Sequence, residues 1–291
     1  MEVLRSKAEL SVWLTNSRSH SRVLVPTMGA LHAGHASLFD LASDHANGGD
    51  VIATIFVNPA QFGPGEDFGA YPRQLEADLD RCKAHGVTAV FVPDTSEMYA
   101  EDASIGIHED QLSRTLCGSS RPGHFDGVCT VVAKLFLLTQ PTAAVFGEKD
   151  FQQLAIIQRL VRDLDFPIQL IPCPTMREED GLAMSSRNAY LSPQEREEAT
   201  IIYRSLTLAS KQIALEPTAS PDIVRAGIIA QIKTAPLARI DYVEIVDATT
   251  LKPLKSFENA TPRLLAAVIF GKTRLIDNFG VTGFNDAGSR D

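Results

Sequence analysis

The chain has 291 residues, of which 44% are hydrophobic and 22% charged, and its formal net charge is -9. These values are typical of globular proteins and argue against a disordered or fibrous chain. Binding along a nucleic-acid backbone needs many clustered cations, so an acidic chain without a basic run is a poor candidate for it. An anionic ligand must therefore be bound by a few well-placed cations.

The cysteines indicate a reducing compartment. The four cysteines lie far apart and lack the Cys-x-x-Cys spacing of a zinc site. The first residues lack the apolar core of a secretory signal, and no apolar run approaches the ~18–20 residues of a membrane span. We therefore expect a soluble cytoplasmic protein with reduced thiols, without membrane or nucleic-acid partners.

Short apolar runs alternate with helical patterns through the first half of the chain. The predicted buried strands are residues 23–26, 51–57, 89–92, 143–146 and 168–171. The predicted helices between them are residues 36–46, 74–85, 128–138 and 151–164. This alternation predicts a doubly wound parallel sheet in a Rossmann-like α/β domain, in which ligands bind at the carboxyl ends of the strands.

The pattern changes after Pro174. Ser192-Pro193 begins a helix that we predict to run to about Leu215, and Ser220-Pro221 begins another. Residues 241–247 and 264–270 are predicted strands of a small sheet. We therefore expect a Rossmann-like domain over residues 1–174 and a smaller α+β domain over residues 175–291, with a frayed tail at residues 283–291.

The segment after the first long strand, Pro26-Thr27-Met28-Gly29-Ala30-Leu31-His32-Ala33-Gly34-His35, is the most informative one. A strand, a glycine-containing turn and a helix start follow one another, and backbone N–H groups at a helix start bind phosphate. His32 and His35 are three residues apart, so they lie on one side of the first turn. Two imidazoles there can stabilise charge on a transferring phosphoryl group. The alternatives are two capping or buried histidines, or a metal pair, for which no third ligand has a telling spacing.

This segment resembles the His-x-Gly-His signature of the nucleotidyl-transferase superfamily, which includes class I aminoacyl-tRNA synthetases. Further segments, in order along the chain, closely resemble the pantoate–β-alanine ligase (pantothenate synthetase) family. They are Asn58-Pro59-Ala60-Gln61 with Tyr71-Pro72-Arg73, Arg121-Pro122-Gly123-His124, Gly147-Glu148-Lys149-Asp150 and Met184-Ser185-Ser186-Arg187. Taken singly, the lysine, the glutamines and the arginine loop also suit a solvated surface, and Ser185-Ser186-Arg187 also suits a helix cap.

The resemblance implies a ligase that joins (R)-pantoate to β-alanine with ATP and Mg²⁺ through a pantoyl adenylate. It implies that His35, His32, Lys149 and Arg187 are catalytic. The implied ATP contacts are Met28, Gly29, His32, Gly34, His35, Gly147, Lys149, Asp150, Met176, Met184, Ser185, Ser186 and Arg187. The implied contacts to pantoate and β-alanine are Gln61, Gln153, Asn58, Tyr71 and Arg121. The resemblance also implies a homodimer and a second domain that closes over the ATP site.

The chain departs from the commoner family pattern at Ala33, Ala36 and Ala77. Because Ala77 stands at an often acidic position, the protein ligands of Mg²⁺ stay unassigned, and we expect phosphates and water to hold the ion. Two other functions remain open. A nucleotidyltransferase acting on a phosphorylated acceptor needs a basic pocket, against which the Gln61 and Gln153 pair argues. A non-catalytic nucleotide-binding module is the other, against which the intact His, Lys and Ser-Ser-Arg set argues.

Overall fold

The structure is a computed structural model that describes residues 1–17, 19 and 21–281. The predicted frayed tail lies outside the described residues. The chain divides into two compact units, the first comprising Met1–Glu148 with Gln153–Pro174 and the second comprising Lys149–Gln152 with the chain from Thr175 onward. No helix within the described ranges is both long and apolar enough to cross a membrane.

The first unit contains a six-stranded parallel sheet in the order β1-β4-β3-β2-β5-β6, which confirms the predicted fold class. The strands are β1 (Glu2–Leu4), β2 (Arg22–Thr27), β3 (Asp50–Ile55), β4 (Ala89–Phe91), β5 (Ala143–Gly147) and β6 (Gln169–Cys173). The sequence pattern missed β1, because its three residues include the exposed Glu2 and therefore do not form an apolar run. Its place at the sheet edge comes from pairing with β4.

The central strand β2 pairs with β3 on one side and with β5 on the other. Val23, Leu24 and Val25 in β2 are fully buried, as expected for a strand covered on both faces. The chain passes from β2 to β3 and later returns to the other side of β2. The topological switch point, where ligands bind in open α/β sheets, therefore lies at the carboxyl ends of β2 and β5.

Each of the four helices predicted in the first half is present. The helices up to residue 163 are α1 (Lys7–Asn16), α2 (Ala33–Ala46), α3 (Leu75–Ala84), α4 (Thr95–Met98), α5 (Cys117–Ser120), α6 (His124–Thr139) and α7 (Phe151–Asp163). Helices α2 and α6 begin three and four residues before the predicted starts at residues 36 and 128. Polar residues such as His32 and His124 lie at these helix starts, so an apolar periodicity does not extend to them.

The second unit contains an antiparallel sheet in the order β7-β8-β9, as expected for an α+β domain. Its elements are α8 (Pro193–Ala199), α9 (Ile201–Leu215), α10 (Pro221–Ile232), β7 (Ala238–Asp247), β8 (Pro262–Phe270) and β9 (Thr273–Gly280). The helix predicted to run from Ser192 to Leu215 is two helices separated at Thr200. The Thr200 hydroxyl donates to the Glu197 carbonyl at 2.9 Å, a local bond that disturbs a helix at this point.

The core of the second unit is the packing of these helices on the sheet. Ile202 and Leu206 of α9 and Phe270 of β8 are at most 1% exposed and belong to one hydrophobic cluster. Strand β9 was not predicted, because its polar residues Asp277 and Asn278 break the apolar run. Both residues are nevertheless buried and take part in the network described below.

Candidate active site

The loop between β2 and α2 has a strained, tightly specified turn. Gly29 has φ +84° and Ala30 has φ +52°, both in the left-handed region. A Cβ on Gly29 would lie 3.0 Å from a carboxylate oxygen of Asp78 and 3.0 Å from the Ile55 side chain. Glycine is therefore required at this position by both its backbone conformation and the space around it.

His32 and His35 cap each other at the start of α2. His32 Nδ1 accepts from the Gly34 amide at 3.1 Å, and His35 Nδ1 accepts from the His32 amide at 3.2 Å. The ring centroids are 4.2 Å apart. An imidazole whose Nδ1 accepts a hydrogen bond is the neutral ring that carries its proton on Nε2. The capping and catalytic interpretations are thus compatible, since capping selects the tautomer in which Nε2–H is a donor.

The backbone amides of this loop already have acceptors within the protein. The Gly29 amide donates to Thr27 Oγ1 at 3.2 Å, and the Ala30 and Leu31 amides donate to Asp78 Oδ2 and Oδ1 at 2.9 and 2.8 Å. Asp78 lies on α3 and is 1% exposed. An anion that approaches this helix start therefore meets imidazole donors more readily than a row of amides.

A buried polar cluster follows β3. Asn58 caps the 3₁₀ turn Pro59–Gln61, and its Nδ2 donates to Gln61 Oε1 and to the Gly127 carbonyl, each at 3.1 Å. Gln61 Nε2 in turn contacts Met28 Sδ at 3.1 Å. Three predicted site residues, Met28, Asn58 and Gln61, are thus brought together. Asn58 is 1% and Gln61 8% exposed, so the surface alternative for Gln61 is wrong.

Tyr99 completes this cluster and was missed by the sequence analysis. Its hydroxyl donates to Asn58 Oδ1 at 2.8 Å, and burial raises the pKa of Tyr99 to about 12. Tyr99 is therefore a neutral donor across the physiological range, which fixes the orientation of the Asn58 amide. A tyrosine at a helix end carries no sequence signal for such a role.

Arg121 lies beside Gln61 and is neutralised by Glu66. Its guanidinium forms two 2.7 Å hydrogen bonds to the Glu66 carboxylate and also reaches the Gln61 carbonyl at 3.4 Å. The hydrogen bond from Arg121 lowers the pKa of Glu66. His124 Nδ1 lies 2.8 Å from the same Gln61 carbonyl. Arg121 and His124 therefore support the backbone of Gln61.

Tyr71 and Gln153 are the two remaining candidate substrate residues. Tyr71 is 6% exposed, and its ring packs edge-on against Phe62 with 6.2 Å between the centroids. Gln153 is half-buried in the first turn of α7. Within the described part of the chain, no hydrogen bond joins Gln153 to Asn58 or Gln61.

In the second unit, Lys149 lies in the 3₁₀ turn Glu148–Asp150 and is half-buried. Its backbone carbonyl accepts from Asn278 Nδ2 at 2.8 Å. The Arg263 guanidinium lies 4.1 Å from the centroid of Phe151. The hydrogen bond from Asn278 in β9 thus fixes the backbone of Lys149. It does not involve the ammonium group of the side chain.

The segment Met176–Arg187 is a short hairpin followed by a turn. Arg177 and Ala183 form an antiparallel bridge, and the Met184 amide donates to the Met176 carbonyl at 3.0 Å. Ser185 Oγ then accepts from the Arg187 amide at 3.2 Å and caps the turn Ser186–Tyr190. Ser185 therefore does act as a cap, as one alternative predicted. This cap fixes the backbone of Ser186 and Arg187.

The described residues contain no group of three or more His, Cys, Asp or Glu side chains arranged to bind a metal. Asp78, the buried acid next to the histidine loop, uses both carboxylate oxygens as acceptors for amides. All four cysteines, Cys82, Cys117, Cys129 and Cys173, are free and buried.

The chain is similar to known proteins over nearly its whole length. A family model described as pantoate-beta-alanine ligase matches residues 2–280. A pantothenate synthetase of Akkermansia muciniphila is 50% identical over 282 residues, covering 96% of this chain and 99% of the relative. The crystal structure of pantothenate synthetase from Thermus thermophilus has a TM-score of 0.90 and 44% identity, covering 97% of this chain and 99% of that one.

A further solved structure includes ligands. The pantoate-beta-alanine ligase of Francisella tularensis, complexed with beta-gamma ATP and beta-alanine, has a TM-score of 0.77 and 32% identity. The similarity covers 98% of this chain and all of that chain. The similarity therefore extends over both units.

Proposed function

The chain belongs to the pantoate–β-alanine ligase family, and we propose here how its own residues serve the two steps of that reaction. The protein is an enzyme that condenses pantoate with β-alanine at the expense of ATP. The match over residues 2–280 carries this conclusion. The reciprocal capping of His32 and His35 supports it, because this geometry presents two neutral donors at the switch point of the sheet.

In the first step a pantoate carboxylate oxygen attacks the α-phosphorus of ATP, and the bond to the bridging oxygen of pyrophosphate breaks. We assign His32 and His35 to charge stabilisation on the phosphoryl oxygens, through Nε2–H. Such donors act best when their orientation is set before the reaction, and the two caps set it. The family resemblance makes His35 the proton donor, and we propose that it donates its Nε2–H as a hydrogen bond to a phosphoryl oxygen while the ring keeps the proton.

Two further cations are assigned to the nucleotide in this proposal. Lys149 and Arg187 bind phosphate oxygens, as an ammonium and as a planar guanidinium fork respectively. The hydroxyls of Ser185 and Ser186 add neutral donors. The remaining proposed nucleotide contacts are Met28, Gly29, Gly34, Gly147, Asp150, Met176 and Met184.

The buried cluster around Asn58 and Gln61 is the proposed pantoate site. Its amides offer both donors and acceptors, which suits a small molecule that carries hydroxyls and a carboxylate. Gln153 and Tyr71 are assigned to the same substrate, and Arg121 supports the site from beside Gln61.

In the second step the β-alanine amine attacks the acyl carbon of the adenylate. AMP leaves with the bonding electron pair, and the nitrogen loses a proton as the amide forms.

The same proposal includes a metal ion, an oligomeric state and a cellular compartment. Magnesium accompanies ATP and neutralises phosphate charge, held by phosphates and water, since the described residues contain no cluster of three acidic or imidazole ligands. The proposal also includes a homodimer and action in the cytoplasm. Sedimentation at micromolar concentration tests the dimer directly.

The experiment that tests the activity measures AMP, pyrophosphate and pantothenate while single substrates are omitted. We expect pyrophosphate release only when pantoate is present, and pantothenate only when β-alanine is added as well. ADP and phosphate as products would exclude an acyl adenylate. Pyrophosphate release that depends on a phosphorylated acceptor, or nucleotide binding without any turnover, would each overturn the assignment.

A further inference from the structure

We propose that Asp78 is a positioning residue for the two histidines, and that it sets their orientation through the turn at Ala30 and Leu31. The inference rests on the proposed role of His32 and His35 in adenylation. Asp78 forms its shortest hydrogen bonds with backbone amides of the loop that precedes the histidines. Its effect on the imidazoles therefore passes through the backbone of that loop.

The carboxylate of Asp78 bonds to the turn with both oxygens. Oδ2 accepts from the Ala30 amide at 2.9 Å, and Oδ1 accepts from the Leu31 amide at 2.8 Å. The sequence separations are 48 and 47 residues, so the bonds fasten the loop after β2 to helix α3. Leu31 immediately precedes His32, whose own amide is the donor to His35 Nδ1.

These bonds hold a backbone conformation that the loop would not keep unaided. Ala30 has φ +52°, which is unfavourable for a residue with a Cβ. Successive amides in such a turn form a concave anion site, and here the anion is a side chain of the protein. A charge that is 1% exposed is tolerated because both oxygens accept hydrogen bonds. No Lys or Arg in the described ranges forms an ion pair with Asp78.

The substitution Asp78→Asn tests this role because it preserves shape and changes one hydrogen bond. The amide retains one acceptor oxygen, but its NH₂ group would face a backbone N–H and lose that bond. The turn should then relax. The backbone amide of His32 should lose the orientation in which it donates to His35 Nδ1, and the tautomer of His35 should no longer be fixed. Asp80→Asn is the matched control, since Asp80 lies on the same helix and is less buried than Asp78.

The first readout needs no substrate. The ¹⁵N chemical shifts of imidazole nitrogens distinguish a protonated Nε2 from an unprotonated Nδ1, and His32→Gln and His35→Gln identify the two rings. We expect both rings as Nε2–H tautomers in the native enzyme, and mixed or shifted ring signals in Asp78→Asn. Asp80→Asn should leave the ring signals unchanged. Unchanged signals in folded Asp78→Asn would overturn the inference, whatever the enzyme turns out to catalyse.

The second readout is the rate of pantoate-dependent ATP–pyrophosphate exchange. Misplacement of a catalytic group by about 1 Å can lower a rate up to ~100-fold, so we expect kcat to fall by about tenfold or more while the KM for pantoate is retained. Asp78→Glu, which keeps the charge, should lie between Asp78→Asn and the wild type, and it replaces Asp78→Asn if that variant does not fold. A lower melting temperature with unchanged kcat would show a purely structural role and overturn the inference.

Discussion

Arg177 and Asp277 form a bidentate ion pair although they lie 100 residues apart, with N–O distances of 2.7 and 2.9 Å. The Asp277 side chain is 3% exposed and the Arg177 side chain 17%. The Arg177 guanidinium also lies 4.7 Å from the ring centroid of Tyr203 and 5.2 Å from that of Phe279. This contact fixes the hairpin that leads directly into Met184 and Ser185.

Loss of this pair should strongly destabilise the protein. Asp277→Ala leaves a buried guanidinium without its counter-charge, which typically costs about 3–5 kcal/mol of unfolding free energy. Glu244→Ala is the control, because it removes a pair with Arg225 whose side chains are 28% and 40% exposed. That pair should contribute about 1 kcal/mol or less. If urea unfolding shows that both variants lose the same unfolding free energy, the Asp277 pair is no more stabilising than the exposed pair.

Gly127 is required by a close approach of two backbones. A Cβ at this position of α6 would collide with the carbonyl of Ala60 and the amide of Gln61. Gly127→Ala should therefore destabilise the protein by about 1–3 kcal/mol, as overpacking does. It should also raise the KM for pantoate, because Asn58 donates to the Gly127 carbonyl.

The matched glycine is Gly227 in α10, around which a Cβ would meet nothing within 4 Å. Gly227→Ala should stabilise the protein by about 0.5–1 kcal/mol through helix propensity alone. Thermal denaturation of both variants checks the pair of predictions. Destabilisation by Gly227→Ala, or none by Gly127→Ala, would be inconsistent with the packing.

The histidine loop allows catalysis to be separated from capping. Asparagine is a good N-cap, and glutamine at the third helical position completes a capping box. His32→Asn and His35→Gln should therefore fold like the wild type and yet lose about 100-fold or more in adenylation, as expected for lost transition-state donors. Lys149→Ala should lose a similar factor. Pantoate-dependent ATP–pyrophosphate exchange measures the loss, and near-normal exchange would remove these residues from the mechanism.

The Glu66–Arg121 pair predicts a dependence of stability on acid pH. The pKa of Glu66 is lowered in the folded protein from its ordinary value of 4.5, chiefly by the hydrogen bond from Arg121. A lowered folded-state pKa gives stability that is fully present above pH 4.5 and is lost as the pH falls through the folded value. Glu66→Gln should remove this part of the pH dependence in urea unfolding between about pH 3 and 6.

A double-mutant cycle provides the control for this pair. Arg121→Gln should flatten the same acid region, and the double variant should lose less stability than the sum of the two single changes. Strict additivity would mean that the two side chains do not interact in solution.

The buried thiols should be unreactive in the folded protein. Burial raises the pKa of Cys82 and of Cys129 to about 12, and the thiolate is the nucleophilic form. At a mildly alkaline pH of about 8, near the ordinary pKa of a free thiol, both residues should be alkylated far more slowly in the native protein than in the unfolded chain. Mass spectrometry of alkylated peptides gives the rate at each site. Rapid modification of native Cys82 would show that α3 opens locally.

Much of this protein could be predicted from residues that are close together in sequence. Alternating strand and helix patterns indicated the parallel sheet, and Gly29 with His32 and His35 predicted the loop at which a nucleotide would bind. These signals are local because a strand, a tight turn and a helix start are each specified within a few residues. The separation of α8 from α9 was missed, since one threonine hydroxyl changes the helix without changing its apolar pattern.

The residues that hold the site in place could not be found in this way. Asp78 and Tyr99 lie in sequence contexts typical of a solvated helix face or a helix end, and Asp277 lies in a polar stretch that obscured β9. Their roles come from partners that are tens of residues away, and only the folded chain brings those groups together. Burial then turns an ordinary carboxylate or hydroxyl into a strict constraint, because a desolvated polar group must find a hydrogen-bond partner. Local sequence thus specifies which groups can do the chemistry, and long-range packing determines how firmly they are oriented for it.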